Sequence, residues 1–386
     1  MVNVAMIGVG AISGIYLKNL TTVFKEVNLI GVCDLIRERA EKAVEEYKIP
    51  KLYETMYDAF NDPEVDVILN LTRPYEHYGV TKPALLAGKH VYHEKPLAAD
   101  MEEGLELVRI AEEKGLMLAG APDTYLGAGI QTCRKLIDDG MIGEPIGAAA
   151  FMICHGHETW HPDPEFYYKR GGGPMMDMGP YYVTAMVNLL GGVKGVTGVT
   201  KKCFDKRIIT SQPHYGETID VEVDTYLTGT MHFESGVIGT IFTTFDVYYS
   251  PRNQARFEIY GTKGTLLVPD PNTFGGPIRL FRPEDQAKSR AVDPGMLEKG
   301  GEFIGFKEMP LMFDYCENSR GLGLADMCKA IETGRPIRSE KQQTLHVLEI
   351  LTSFEKSSRE GRYLPLETRY QRAQPMKNNP MFGILD

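Results

Sequence analysis

Val4-Ala-Met-Ile-Gly8-Val-Gly10-Ala-Ile-Ser13-Gly14 decides the fold: a short apolar run, a glycine turn, then helical spacing from Ile12 to Leu20. A buried strand that turns on glycines into a helix opens a parallel βαβ unit. Gly8 permits the tight turn, and Gly10 lets backbone amides approach a pyrophosphate with no side chain in the way. Ala11 and Ile12 supply N–H groups of the first helical turn, where the dipole favours an anion. Ser13 takes the third position of the G-x-G-x-x-G pattern and is small enough for close helix–strand packing. A second apolar run, Val27–Val32, ends at Cys33-Asp34, 20 residues after Gly14. An acid there can accept hydrogen bonds from adenosine ribose hydroxyls. It also repels a 2′-phosphate, so the expected cofactor is NAD in preference to NADP. Arg37 and Arg39 weigh the other way, since either can reach a phosphate, and Arg39 is kept as a cofactor-side candidate.

The alternation continues outward. Arg37–Tyr47, rich in Glu, Lys, Arg and Ala, predicts a helix. Val65–Leu71 predicts a third strand, Thr81–Ala87 a short helix and Lys89–Tyr92 a fourth strand. Met101–Lys114 then reads as an amphipathic helix and Leu116–Ala119 as a fifth strand. Apolar strands interleaved with helices imply a parallel sheet covered on both faces and doubly wound. After residue 145 the pattern changes. Gly147–Cys154, Val221–Phe233, Val237–Val247, Arg256–Tyr260 and Gly264–Val268 read as strands, with a hairpin turn at Phe233-Glu-Ser-Gly236. The expected architecture is α/β in two parts. Residues 1–122 form a Rossmann doubly wound domain. Residues 123–386 form an α+β substrate and oligomerisation domain with a large, open, mainly antiparallel sheet. Leu322–Glu332 and Gln343–Arg359 return to helix, the last packing back on the first domain. Pro269–Gly301, rich in Pro and Gly, reads as a long surface excursion. The apolar face of the strand from 221 to 233 calls for cover, so a homodimer or homotetramer is expected.

Composition narrows the function. The length, 386 residues, suits two domains, and 43% hydrophobic with 24% charged residues describes a soluble globular chain. Forty-two Lys and Arg against 52 Asp and Glu give a net charge of -10, which argues against a nucleic-acid binder. No run of about eighteen apolar residues exists, and the first residues lack a secretory leader, so no membrane partner is expected. Cys33, Cys133, Cys154, Cys203, Cys316 and Cys328 are scattered, with no Cys-x-x-Cys. That pattern suits free thiols in a reducing compartment, and the expected location is cytoplasmic.

Three further segments are most informative together: Asn70-Leu-Thr72-Arg-Pro74-Tyr-Glu-His77, Gly88-Lys-His-Val-Tyr-His-Glu94-Lys95-Pro96, and Gly171-Gly-Gly173-Pro-Met-Met-Asp177-Met-Gly179-Pro-Tyr181-Tyr182. With them the chain resembles the Gfo/Idh/MocA family of glucose–fructose oxidoreductase and inositol dehydrogenase, from Val4 to about Leu366. The most specific piece is A-x-x-A-G-K-H-V-x-x-E-K-P, met by Ala84 through Pro96. The resemblance implies a nicotinamide cofactor in the cleft between the two domains. It implies Thr72, Pro74, His77, Glu94 and Lys95 on the cofactor side, and Lys95 and Asp177 in the active site. Many members carry a proton-transferring His where this chain has Tyr181; the glucose–fructose oxidoreductase and dihydrodiol dehydrogenase branches are similar in using Tyr. Asp-x-Gly-Pro-Tyr-Tyr, with His155-Gly-His157-Glu-Thr-Trp160-His161 upstream, is similar to a bacterial subgroup acting on glycosides. Pro122-Asp123-Thr124-Tyr125 departs from an Asn- and Arg-bearing turn of many relatives, which bears on substrate contact.

Oxidising a secondary alcohol requires hydride loss from carbon and proton loss from oxygen. The ordinary pKa of Tyr, about 10, is too high for a base at neutral pH, and a nearby ammonium such as Lys95 favours the phenolate. Lys95 can also hold the substrate oxygen as charge develops there. Asp177 either orients Lys95 or grips a sugar hydroxyl. Asp123, His155, His157, Trp160, His161 and Tyr182 are the expected substrate contacts, the indole face suiting a sugar's C–H surface. In a strand, His155 and His157 would share a face, so a metal site and plain loop packing stay open beside substrate contact. No metal ligand is assigned. Arg320-Gly-Leu-Gly323 reads as a glycine-rich helix start, possible cleft lining or only a cap. The expected function is an NAD-dependent dehydrogenase interconverting a ring alcohol and ketone on a sugar, polyol or glycoside. The alternatives are an oxidative glycosidase, a metal-dependent isomerase or lyase using the histidines, and a catalytically silent regulator.

Overall fold

In the computed structural model, which describes residues 1–248, 256–285, 305–377 and 382–386, the glycine turn joins β1 (Val2–Ile7) to α1 (Ser13–Thr22). There follow β2 (Val27–Cys33), α2 (Arg37–Tyr47), β3 (Lys51–Leu52), α3 (Met56–Asn61) and β4 (Val67–Asn70). Next come α4 (His77–Leu86), β5 (His90–His93), α5 (Met101–Glu113) and β6 (Leu118–Gly120). The six strands are parallel, in the order β3-β2-β1-β4-β5-β6. Val4, Ala5, Met6, Val67, Ile68 and Leu69 are buried, as strands covered on both faces must be. The strand order reverses between β1 and β4, and a crevice beyond the carboxyl ends of such strands is where ligands bind. β3 and α3 escape sequence reading because the ladder there is two residues long, too short to show a period. α4 starts a turn earlier than Thr81 because a 3-10 turn opened by Pro74 feeds straight into it.

The second part contains α6 (Ala128–Asp138), β7 (Pro145–Ile153), α7 (Gly173–Asp177), α8 (Gly179–Leu190) and β8 (Val193–Lys201). A small separate hairpin, β9 (Lys206–Ile208) with β10 (Thr218–Asp220), follows. Then come β11 (Tyr226–Phe233), β12 (Ile238–Thr244), β13 (Arg256–Gly261), β14 (Gly264–Val268), β15 (Ile278–Phe281) and β16 (Lys307–Met309). α9 (Leu322–Thr333), α10 (Lys341–Glu360) and β17 (Leu364–Pro365) complete the described elements. Nine strands form one sheet, β16-β15-β14-β13-β7-β12-β11-β8-β17. All its pairs are antiparallel except β7 with β12, which makes the sheet mixed. Residues 221 to 225 are not strand; they lead out of β10, and the ladder begins where Tyr226 meets Lys201 and Thr244. The expected hairpin turn is present, with Gly236 at φ +90°. Leu227, Met231, Phe233 and Ile241 are buried on the face covered by α10. The opposite face carries Val199, Tyr226, Ile238 and Phe242. α9 packs on β1, β2 and β6, and α10 packs on both α5 and β8, so the last helices tie the two sheets together. Within the stretch read as an excursion, residues 286 to 301 lie outside the described residues. Among the described residues no helix is long and apolar enough to cross a membrane.

Candidate active site

The glycine turn is open where a dinucleotide requires space. Gly8 sits at φ +98°, and a Cβ on it would lie 2.9 Å from the Leu71 carbonyl, so β1 and β4 approach there only through glycine. A Cβ on Gly10 would meet nothing within 4 Å. Asp34 is fixed across the turn: its Oδ2 accepts from the Val9 N–H at 2.6 Å and its Oδ1 from the Ile36 N–H at 2.7 Å. A carboxylate has about four acceptor sites, so two remain for a ribose diol. Arg37 is occupied by Glu41 and Glu54, and Arg39 is exposed. Buried Asn70, which sequence reading left without a role, shapes the second turn. Its Oδ1 accepts from Thr72 N and Oγ1, and its Nδ2 donates to the His77 carbonyl and Thr81 Oγ1. His77 is fully buried behind this turn, with Nδ1 2.6 Å from the Pro96 carbonyl and Nε2 3.0 Å from the Thr72 carbonyl. It braces the turns that follow β4 and β5 from behind. Glu94 accepts from the Tyr16 hydroxyl at 2.8 Å and from the Lys95 N–H at 3.0 Å.

Lys95 follows β5 and meets α7 across the cleft. Its Nζ donates to Asp177 Oδ1 at 2.6 Å and to the Asp177 carbonyl at 2.8 Å. Asp177 Oδ2 lies 2.9 Å from His157 Nε2, and Trp160 Nε1 donates to His157 Nδ1 at 3.2 Å. Because Nδ1 accepts, the proton of a neutral imidazole sits on Nε2 and is donated to Asp177. A polar chain thus runs Lys95–Asp177–His157–Trp160, ending in an indole that is 61% exposed. Burial opposes charge on Lys95, yet the Asp177 carboxylate outweighs it and holds the ammonium protonated well above its usual range. Burial alone would lift Asp177; the Lys95 charge and the His157 N–H reverse this and hold it well below the usual carboxylate range. Tyr181, four residues on in α8, is buried with its ring centre 5.3 Å from Lys95 Nζ. Burial raises its phenol, Lys95 and Arg320 pull it down, and Glu94 adds to the rise; the net direction is up.

Other expected contacts are placed differently. β7 ends at Ile153, so His155 and His157 share no strand face: His155 stacks on Tyr248 at 3.8 Å while His157 turns to Asp177. His161 accepts from the Asp163 N–H at 3.0 Å and packs edge-on against Phe166 and Tyr167. Among the described residues no three His, Cys, Asp or Glu side chains gather around a metal position. Glu158 pairs instead with buried Arg207, which also holds Asp246 at 3.0 Å, pinning the histidine segment to the sheet. Asp123 is buried, and its carboxylate caps α9 by accepting from the Gly321 N–H at 2.8 Å and the Gly323 N–H at 3.1 Å. Its role here is to hold the turn that carries Arg320. Tyr182 is buried beside Phe257, its hydroxyl 3.5 Å from the Phe151 carbonyl, on the core side of α8. Arg320 itself was seen in the sequence only as part of a helix start. It donates to the nearby Asn318 Oδ1 at 2.9 Å and, 48 residues away, to Asn272 Oδ1 at 2.7 Å.

Comparison with known proteins identifies the family of both parts of the chain. A family model described as an oxidoreductase family with an NAD-binding Rossmann fold matches residues 2–121, and the GFO/IDH/MocA C-terminal domain model matches residues 130–267. D-xylose dehydrogenase of Paenarthrobacter nicotinovorans is 28% identical over 265 residues, 66% of each chain. Inositol 2-dehydrogenase/D-chiro-inositol 3-dehydrogenase of Lactiplantibacillus plantarum is 32% identical over 146 residues, 37% of this chain and 41% of the relative. The solved structure of levoglucosan dehydrogenase with NADH and L-sorbose superimposes with a TM-score of 0.78 at 19% identity, covering 95% of this chain and 99% of that one. At that identity it is the fold that is shared. With both of its domains matched, the chain belongs to the Gfo/Idh/MocA family of oxidoreductases and carries that family's NAD-binding Rossmann domain.

Proposed function

We propose that the protein is an NAD-dependent dehydrogenase that interconverts a secondary ring alcohol and a ketone on a sugar, polyol or glycoside. The observation that carries this reading is the ion pair between Lys95 and Asp177 across the cleft, with the Tyr181 phenol beside it and the open glycine turn at the neighbouring strand ends. NAD⁺ bound on Gly8, Gly10, Ala11, Ile12, Thr72 and Pro74 would accept a hydride from the carbinol carbon. Asp34 would take the ribose hydroxyls and disfavour a 2′-phosphate, since Arg37 is already paired. Lys95, held protonated by Asp177, stabilises negative charge on the substrate oxygen. Tyr181 takes the hydroxyl proton during oxidation and returns it during reduction. Asp177 and His157 keep Lys95 in place, and Trp160 offers its exposed face to the sugar's C–H surface. Xylose and inositol dehydrogenases among the relatives support the substrate class. Free thiols at all six cysteines support a reducing, cytoplasmic setting, and the partly apolar outer face of the large sheet supports a homodimer or homotetramer.

The test is a panel of sugars, polyols and aryl glycosides incubated with NAD⁺. Equal amounts of NADH and ketone are expected from at least one of them. Aglycone release without NADH accumulation would replace the reading with an oxidative glycosidase. Loss of activity to a chelator would point to the metal-dependent alternative.

A further inference from the structure

Trp160, the single tryptophan of the chain and 61% exposed, stands between two anchors. Upstream, its own domain holds the segment: buried Arg207 grips Glu158, and His157 reaches Asp177. Downstream, the anchor comes from the first domain. Arg73, on the turn that follows β4, pairs through Nη2 with Asp163 Oδ2, and its guanidinium carbon lies 5.9 Å from the Phe166 ring centre. Phe166 packs edge-on against His161, and the Asp163 N–H donates to His161 Nδ1. Both partners of Arg73 therefore bear on the residue next to Trp160, whose indole is edge-on to the same imidazole. The turn beneath Arg73 is braced by buried Asn70 and His77, which gives the contact a firm base. An exposed ion pair is worth little by itself, but a guanidinium that also lies over an aromatic ring adds a second attraction to the same fork. A second pair between the domains, Arg170 with Glu103 at 2.9 Å, lies further along the chain, near the start of α7.

We propose that Arg73 is a positioning residue for sugar binding: from the turn after β4 it holds Asp163 and Phe166, and thereby keeps the Trp160 indole at a set place relative to the first domain. A platform that wanders binds a sugar less tightly, because stilling it on binding costs the freedom it had. The proposed chemistry at Lys95 and Tyr181 lies outside this contact, so the effect falls on KM rather than on kcat. This inference rests on the reading of the cleft as a sugar site.

The test combines steady-state kinetics on the fastest sugar of the panel with the fluorescence anisotropy of Trp160, read in the full-length protein without sugar. Arg73→Gln and Asp163→Asn are each expected to lower the anisotropy and to raise KM about three- to tenfold, with kcat and NAD⁺ affinity kept. Arg73→Asp sets two carboxylates face to face and raises KM further; adding Asp163→Arg brings it back toward wild type. Arg170→Gln, which breaks the other pair between the domains, leaves KM and anisotropy unchanged. Asp163→Asn carries the test if Arg73→Gln does not fold. Wild-type anisotropy or wild-type KM in both single variants overturns the inference, as does a fall in kcat without a rise in KM. It is equally overturned by an exchanged pair no better than Arg73→Asp, or by the same KM rise in Arg170→Gln. The anisotropy needs no substrate, so failure of every sugar to yield NADH would sink the functional reading separately.

Discussion

In the proposed reaction Tyr181 is the residue on which proton transfer turns, and its burial sets a pH dependence. The phenol is raised above its ordinary value, so at neutral pH most of it is protonated. A base must be ionised to act, so the rate of alcohol oxidation should climb about tenfold per pH unit on the acid side of the midpoint, while ketone reduction gains nothing. A flat pH profile for oxidation between about pH 7 and about pH 9, with hydride transfer rate-limiting, would contradict this assignment. Lys95→Met and Tyr181→Phe should each lower turnover on the order of a hundredfold or more. The double variant should be little worse than either alone, since the groups act on one oxygen. Steady-state rates of the three variants check this. At this scale the sequence motifs named Lys95, Asp177 and Tyr181 as candidates, and the fold brings the three side chains together. The contact of Arg320 with Asn272 was not readable, since the two lie 48 residues apart and no local spacing records it. Asp123 was expected to touch substrate because it stands where many relatives carry an Asn- and Arg-bearing turn; the two glycine N–H groups that occupy it come from a turn about 200 residues away.

The glycine turn is the element that separates cofactor binding from folding. Gly10→Ala places a methyl in open space, so the melting temperature should stay near wild type while NADH affinity drops about tenfold. Gly8→Ala adds strain at φ +98° and a 2.9 Å contact with the Leu71 backbone just past β4, so it should lose about 1–3 kcal/mol of stability as well. Thermal melts beside NADH titrations distinguish the two; similar melts for both variants would contradict the geometry. The turn was legible because strand, glycines and helix follow one another within a dozen residues. The histidine segment was not, because a strand reading of Gly147–Cys154 extended naturally to His155. The ladder in fact ends at Ile153, after which Glu158 and Arg207 set the path. Parallel pairing of β7 with β12 was equally hidden, since β7 lies far upstream of the hairpins it joins.

At the scale of the whole molecule, burial and surface make two further predictions. His346 accepts from the Val193 N–H and faces Thr368 Oγ1 with its other nitrogen, which fixes it neutral; burial pushes it down to about 4 and His93 to about 3. Unfolded imidazoles titrate near 6.5, so between that value and about 4 the unfolded chain binds protons that the folded chain refuses. Stability should therefore fall as pH drops from about 7 to about 5, and the fall should shrink in His346→Asn; an unchanged melting temperature across that range would contradict it. The outer face of the large sheet carries Val199, Tyr226, Ile238 and Phe242, so light scattering should return a multiple of the 43.1 kDa chain mass. A monomer at micromolar concentration would contradict the assembly. The two-part architecture was visible as a change of periodicity near residue 145, whereas the return of α9 and α10 to the first sheet is long-range packing that local pattern does not encode. The central claim, hydride transfer coupled to proton transfer at Tyr181, is tested most directly by single-turnover NADH formation in wild type and Tyr181→Phe, using the fastest sugar of the panel. The account predicts a full NADH burst in wild type and a burst slowed about a hundredfold in Tyr181→Phe with NADH affinity retained. Equal bursts from both proteins would contradict it.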